Sequence, residues 1–203
     1  MDHQFETDKW PFLEARHFKH ITEKRKVRVI VMHDMEAPEN SSTAENVAKY
    51  FHTTPTPASA HICVDNDSIV QCVLDNDVAY AAPGANNDGI QIEMAGFAKQ
   101  TREQWLDPYG VLLLDRSADA AAQYCLKYDI PVRQLTNQQL ANGEKGIVGH
   151  RQVSQVYKKS DHMDPGTNFP WDYFLERVNR HYVERAKKFG KVPVGTPGVP
   201  AGV

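Results

Sequence analysis

Apolar residues fall along this chain in short β-type runs separated by stretches of helical period. KVRVIVMH, residues 26–33, is rich in β-branched residues, with a nearly continuous apolar run from Val29 to Met32. That is the pattern of a strand buried on both faces, and it ends at His33. The turn-rich DMEAPENSS follows. Ser42 or Thr43 then caps a helix predicted to reach about His52, with Val47, Ala48 and Phe51 on one face, and Pro55 and Pro57 close it. AHICV (60–64) and IVQCV (69–73), flanking DNDS, predict a β-hairpin. With a two-residue loop at Asp67 and Ser68, Cys63 would face Cys72 and pack against it.

Loop formers crowd PGANNDG, and another strand, IQIEMAG, comes next. A helix is predicted over 116–128, where Ala118, Ala121, Ala122, Cys125 and Leu126 make an apolar stripe. A short helix over NQQLAN precedes a brief strand, GIVGH, which also ends in histidine. Pro170 suits the first turn of a last helix that turns Trp171, Phe174, Leu175, Val178 and Tyr182 inward and stops at Gly190. Strands interleaved with helices, together with a hairpin, predict an α/β fold: a single mixed central β-sheet flanked by helices. Residues 1–25, polar with isolated aromatics, read as an N-terminal arm, and 26–189 as one domain. Residues 190–203 alternate Pro, Gly and Val without period, a linker composition that suggests a module of a longer protein.

Composition narrows the function classes. Hydrophobic residues make up 41% of the 203, enough for a sizeable core, and the formal net charge is −3. A general nucleic-acid binder would carry a basic footprint, so no nucleic-acid partner is expected. No run of about 18 apolar residues exists to span a membrane. The opening MDHQFETDKW lacks a basic segment followed by an apolar one, so no secretion signal is expected there. Three scattered cysteines, Cys63, Cys72 and Cys125, are too few for a disulfide scaffold and read as small buried apolar residues.

The candidate chemistry lies at strand ends. His33 follows VRVIVM and His150 follows GIVG, and rigid backbone meeting the surface can hold a ligand at fixed geometry. Fourteen residues beyond His150, the DPG turn presents Asp164. Two imidazoles and a carboxylate are the three-ligand set of a hydrolytic zinc site with an open fourth position. With nine histidines in the chain many such triples exist, so composition and spacing alone favour the plainer reading of two hydrogen-bonded strand-end histidines and a turn aspartate.

Longer words decide the matter. VIVMHDM, SAHICVDNDSIVQCV, DGIQIEMAGFA and GHRQVSQVYKKSDHMDPGTNFPW occur in this order. Together they resemble the type 2 N-acetylmuramoyl-L-alanine amidases, relatives of peptidoglycan recognition proteins and T7 lysozyme. The likeness extends over residues 27–178, and its last word is the most specific. AGFAKQTREQWLDPYG further resembles the amidase modules of mycobacteriophage-type endolysins. The resemblance implies one zinc ion held by His33, His150 and Asp164, with Glu93 of QIEM as general base. His162 falls where the family commonly has a lysine or another basic group that stabilises the oxyanion. That is a departure, because a neutral imidazole donates one hydrogen bond without a full charge.

The implied substrate is peptidoglycan, cut between muramic acid and L-alanine, by a monomer acting on the wall after release from the cytoplasm of a host cell. Zinc would lower the pKa of water to around 7 and polarise the amide carbonyl. Glu93 would take the water proton and deliver it to the leaving nitrogen. The alternatives are a wall-binding module without catalysis, a zinc peptidase cutting within the stem peptide, and a cysteine hydrolase using Cys63 or Cys72.

Other residues read more plainly. His61 matches a position often histidine in the family and is expected to pack behind the ligands. His17, His20, His52 and His181 are expected in solvent. Asn86, Asn87 and Asp88 read as turn formers, Trp105 and Tyr109 as packing or a substrate wall, and KRK (24–26) as a solvated lead-in.

Overall fold

Residues 10–190 are described by the computed structural model; the start of the arm and the Pro/Gly/Val tail beyond Gly190 lie outside them. In chain order the elements are β1 (Phe18–Lys19), β2 (Val29–Asp34), α1 (Thr43–Thr53), β3 (Ile62–Val64), β4 (Ile69–Gln71), β5 (Val78–Ala79) and β6 (Gly89–Met94). Then come α2 (Arg102–Trp105), α3 (Pro108–Tyr128), α4 (Asn137–Ala141), β7 (Gly146–Gly149), α5 (His150–Tyr157) and α6 (Trp171–Lys188).

Five strands form the expected mixed sheet, in the order β4-β3-β6-β2-β7. β3, β6, β2 and β7 run parallel, and β4 is antiparallel at one edge. β1 and β5 pair separately. The run Val29–Met32 is wholly buried because helices cover both faces of its strand. Ile30 and Met32, with Ile90, Ile92 and Met94 of β6, belong to the core that includes Leu113 and Leu114 of α3 and Phe174, Val178 and Tyr182 of α6. Burying a side chain of this size contributes roughly 1.5–3 kcal/mol. On the other face Val29, Val31 and Val148 meet Leu140 of α4 and Val153 of α5, while Cys63 and Val70 lie against Ala44, Ala48 and Phe51 of α1.

β6 carries the most informative alternation. Its even positions are apolar and face α3, whereas Gln91 and Glu93 share the face of Val31 and His33, their register partners in β2. A polar row on a central strand has to be satisfied or used. Here it runs to the carboxyl edge of the parallel strands, the usual place for a ligand in open α/β sheets.

Several elements differ from expectation. α3 begins at Pro108 rather than 116, because the Asp107 side chain caps it by accepting from Gly110 N at 2.8 Å, with proline in the first turn. α2 has a capping box built from Thr101 and Gln104. The hairpin loop has four residues rather than two, since the Asp65 side chain accepts hydrogen bonds from Asp67 N, Ser68 N and the Ser68 hydroxyl. Cys63 therefore faces Val70, with Cys72 diagonal to it. Their Sγ atoms lie 3.9 Å apart as free, buried thiols, and burial pushes Cys63 well above the ordinary thiol range. That disfavours a thiolate at Cys63, and Cys72 is equally buried, so neither sulfur is open to a substrate.

Among the described residues no helix is long and apolar enough to cross a membrane.

Candidate metal centre

Three neighbouring strands bring the site together by register. His33 of β2 is directly opposite Glu93 of β6, and Met32 is opposite Gly149 of β7. His150, expected at a strand end, is instead the first residue of α5, one step beyond β7. The shift keeps its place: extended Gly149 hands the chain to the helix, and His150 enters the row beside His33, ring centroids 4.7 Å apart. Asp164 arrives from the turn before α6. Gly166 has a positive φ of 92°, and a Cβ there would overlap the Ala98 carbonyl, so glycine in the DPG turn allows the close approach.

His33, His150 and Asp164 are all buried, and each offers one ligand atom within 4.8 Å of the others. Asp164 Oδ2 lies 2.9 Å from His33 Nδ1, and Oδ1 lies 3.2 Å from His150 Nδ1. Orientation is fixed from behind. The Gln91 amide nitrogen donates to the Ala85 carbonyl at 3.1 Å, which turns its Oε1 toward His33 Nε2 at 2.9 Å. His33 therefore carries a proton on Nε2 and aims the Nδ1 lone pair at a carboxylate oxygen. Two acceptors at that distance require a cation or a second proton between them. With protons alone, the consequence is large opposed shifts. Burial opposes charge on His33, but the Asp164 hydrogen bond and the Glu93 and Asp164 charges outweigh it, raising its pKa to about 9. Burial also opposes charge on Asp164, and the two imidazoles nevertheless hold it far below the usual carboxylate range. A buried His–His–Asp set that demands positive charge fits a divalent metal.

Glu93 is half-buried beside these donors, and its Oε2 is a buried oxygen with no hydrogen-bond partner. Burial, against the pull of His33 and with the push of Asp164, raises it to about 7. His162 is at the exposed rim, its ring stacked on His150 at 4.4 Å with Nδ1 3.3 Å from Asp164 Oδ1. All five residues singled out in the sequence thus meet at one end of a groove of about 650 Å³. Val47, Tyr50, Tyr80 and Met163 are also among the residues that line that groove. Pockets of this size are usual for small-molecule and peptide ligands.

Gln91 is the residue that sequence reasoning missed; its signal was a lone polar side chain between Ile90 and Ile92. Replacing Gln91 by methionine keeps the bulk and removes the acceptor for His33 Nε2–H. Metal affinity is expected to fall about 10–100-fold, measurable by competition with a chromophoric chelator; an unchanged affinity would show that His33 needs no such support.

His61 takes the packing role expected of it. It is buried, and its Nδ1 accepts from Gln91 N at 2.9 Å. Arg25 corrects the solvated reading of KRK: it is buried, donating to the carbonyls of Asp75, Asn86 and Gly89, with Nη2 3.0 Å from His61 Nε2. Burial and then the Arg25 charge push His61 well below its ordinary pKa. The folded state keeps it neutral while the unfolded chain binds a proton below about pH 6.5, so stability declines as pH falls through that region. One proton corresponds to about 1.4 kcal/mol per pH unit. His61→Asn is expected to flatten the difference, and urea midpoints of both proteins between pH 7 and 5, with chelator present, check it. Parallel curves would contradict it.

His181, expected in solvent, is largely buried between α3 and α6, with Nε2 3.1 Å from Asp115 and Nδ1 3.4 Å from Asp119. His17 is half-buried, its Nε2 3.0 Å from the Thr54 carbonyl, whereas His20 and His52 are exposed. Trp105 is core, edge-on to Phe169, and Tyr109 donates to the Asn40 carbonyl; neither lines the groove. Asn86 lines it while acting as a turn former, its side-chain oxygen accepting from Ala81 N and Ala82 N. Asp88 pairs with Arg28.

A family model described as N-acetylmuramoyl-L-alanine amidase matches residues 23–167. No match was found among curated proteins. Among solved structures, the hydrolase AmiA of Staphylococcus aureus, solved with its ligand, superposes with a TM-score of 0.62 at 19% identity, over 91% of this chain and 89% of that one. The N-acetylmuramoyl-L-alanine amidase LysC of Clostridium intestinale gives 0.57 at 19%, over 85% and 99%. A mutant endolysin from Bacillus subtilis gives 0.53 at 16%, over 84% and 99%. At these identities the structural likeness speaks for the fold alone.

Proposed function

The chain belongs to the N-acetylmuramoyl-L-alanine amidase family, and from that premise we propose a zinc-dependent hydrolase that cuts peptidoglycan between the muramic acid lactyl group and L-alanine. One observation carries the reading: three buried metal-type donors, held together only by a metal ion or an added proton, converge beside a buried carboxylate oxygen left without a partner.

His33, His150 and Asp164 would hold one zinc ion, leaving a position open. Zinc supplies Lewis acidity there, polarising the scissile carbonyl and making water acidic enough to attack near neutral pH. Glu93 stands ready for the proton. It can accept one from the attacking water and release it to the L-alanine nitrogen, and burial, which in the metal-free site raises it to about 7, makes it a better base than an exposed carboxylate. The lactyl C–N bond breaks, leaving a lactyl carboxylate and a free L-alanine amine. His162 at the rim can donate to the developing oxyanion; one such donor is worth about 3–4 kcal/mol in kcat. Tyr50 and Met163, both in the groove lining, offer apolar surface to sugar and peptide alike.

The finer assignment is to a phage endolysin of the mycobacteriophage type, acting on the wall as a monomer after release from the host cytoplasm. AGFAKQTREQWLDPYG supports it. Nothing in the site favours a wall-binding module without catalysis, since all three donors and Glu93 are in place.

The test is digestion of purified mycobacterial-type peptidoglycan followed by labelling of new amino termini. Labelled L-alanine, lost with chelator and regained with zinc, is the expected result. Labelled residues from further along the stem would mean a peptidase, and no new termini would mean a binding module.

A further inference from the structure

A second groove, of about 340 Å³, lies behind the metal-ligand turn and is lined by Arg151, Gln134, Gln155, Thr167 and Trp171, among others. Consecutive residues divide between the two grooves: His150 lines the first and Arg151 the second. The backbone ties them, Arg151 N donating to the Asp164 carbonyl at 2.9 Å.

Arg151 is part of this groove's lining and carries a guanidinium. Its Nε–H is buried without a partner, and among the described residues no carboxylate pairs with it. No acidic side chain is among the described residues lining this groove. With no carboxylate pairing it, the guanidinium's remaining N–H groups are left to an acceptor that enters the groove. The neighbours narrow the chemistry. Asn137 donates to Gln155 Oε1 at 3.0 Å, leaving the Gln155 amide N–H groups to donate outward. Gln134 Nε2 donates to Gln152 Oε1 at 3.3 Å, leaving the Gln134 carbonyl oxygen to accept. Trp171 adds an aromatic surface. One planar cationic fork, free amide donors and acceptors, and an aromatic side chain suit a carboxylate attached to a peptide.

We propose that this groove is a second binding site, for a carboxylate-bearing peptide segment of the wall, with Arg151 gripping the carboxylate and Gln134 and Gln155 its flanking amides. The proposal rests on the wall-substrate reading for the identity of the peptide. It places a stem peptide behind the catalytic turn in addition to the one being cut in front of it.

The probe is the free tetrapeptide of the stem, titrated into the zinc-loaded protein while the indole N–H signals of its three tryptophans are followed by NMR. Trp105 is buried in the core and Trp10 belongs to the N-terminal arm, so both serve as internal references. The expected result is a saturable shift of Trp171, weakened at least tenfold when the peptide carboxylates are methyl-esterified. Arg151→Gln is expected to weaken it similarly, and Arg151→Lys less. The esterified peptide makes the decision independent of how well the variants fold. No Trp171 shift with the wild-type protein, equal affinity for the ester, or undiminished binding by a folded Arg151→Gln protein would each overturn the proposal. Hydrolysis of a muramoyl-peptide is followed in parallel. Its failure would sink the amidase reading, while the titration still decides whether the groove grips a carboxylate.

Discussion

Asp164→Ala is expected to hold no metal and to hydrolyse peptidoglycan no faster than the chelator-treated wild type. The carboxylate joins the Nδ1 atoms of two imidazoles whose Nε2 atoms are held by Gln91 and Ser160: its oxygens lie 2.9 Å from His33 Nδ1 and 3.2 Å from His150 Nδ1. Losing it also changes the metal-free protein. Breaking a buried ion pair by removing one partner costs about 3–5 kcal/mol, and both partners here are buried. The pH dependence has a definite sign. His33 is raised to about 9 in the folded state, above its unfolded value near 6.5. Its contribution is thus fully present below about pH 6.5 and lost as pH rises through 9. The gap in denaturant midpoint between metal-free wild type and Asp164→Ala should therefore be widest in mild acid and narrow toward pH 9.5. A constant gap would show that Asp164 stabilises the fold through something other than His33, and full zinc retention would remove it from the ligand set.

The second large effect is at Glu93. Glu93→Gln is expected to lower kcat by about 10³-fold, within the range for loss of a general acid–base group. Zinc content should be unchanged, since Glu93 is not among the clustered ligand residues. Glutamine matches the shape but cannot take a proton from water. Asp164→Ala loses metal and activity together, whereas Glu93→Gln should separate the two. Metal analysis beside single-turnover rates distinguishes these cases, and a Gln variant within tenfold of wild type would take Glu93 out of the proton path.

How far the sequence could be read is clearest at this row of residues. The β-branched run before His33 marks a central strand, and QIEM marks another. Their register does not follow from either run, because β2 and β6 become neighbours only through a crossover of more than fifty residues. The five candidate residues were found through words resembling a family; patterning alone left His33, His150 and Asp164 as one triple among many. His150 was misplaced by one residue because GIVGH reads as a strand to its end, while the backbone turns helical at the histidine.

Where the reading failed, the deciding information was tertiary. Nothing in KRK distinguishes Arg25 from the lysines beside it. Only the folded chain places the carbonyls of Asp75, Asn86 and Gly89 around its guanidinium. His181 has a helix-surface period, yet Asp115 and Asp119 of the facing helix draw it into the interface. Local signals were also passed over. Asp107-Pro108 and the Thr101–Gln104 capping box both announce helix starts, and the alternation of β6 pointed to Gln91.

The central claim, that this site hydrolyses the lactyl–L-alanine amide, is tested most directly by digesting a defined muramoyl-pentapeptide in heavy-oxygen water and weighing both products. The account predicts one heavy oxygen in the lactyl carboxylate and none in a peptide that begins with a free L-alanine amine. Heavy oxygen in a peptide carboxylate, with muramic acid still joined to L-alanine, would contradict it.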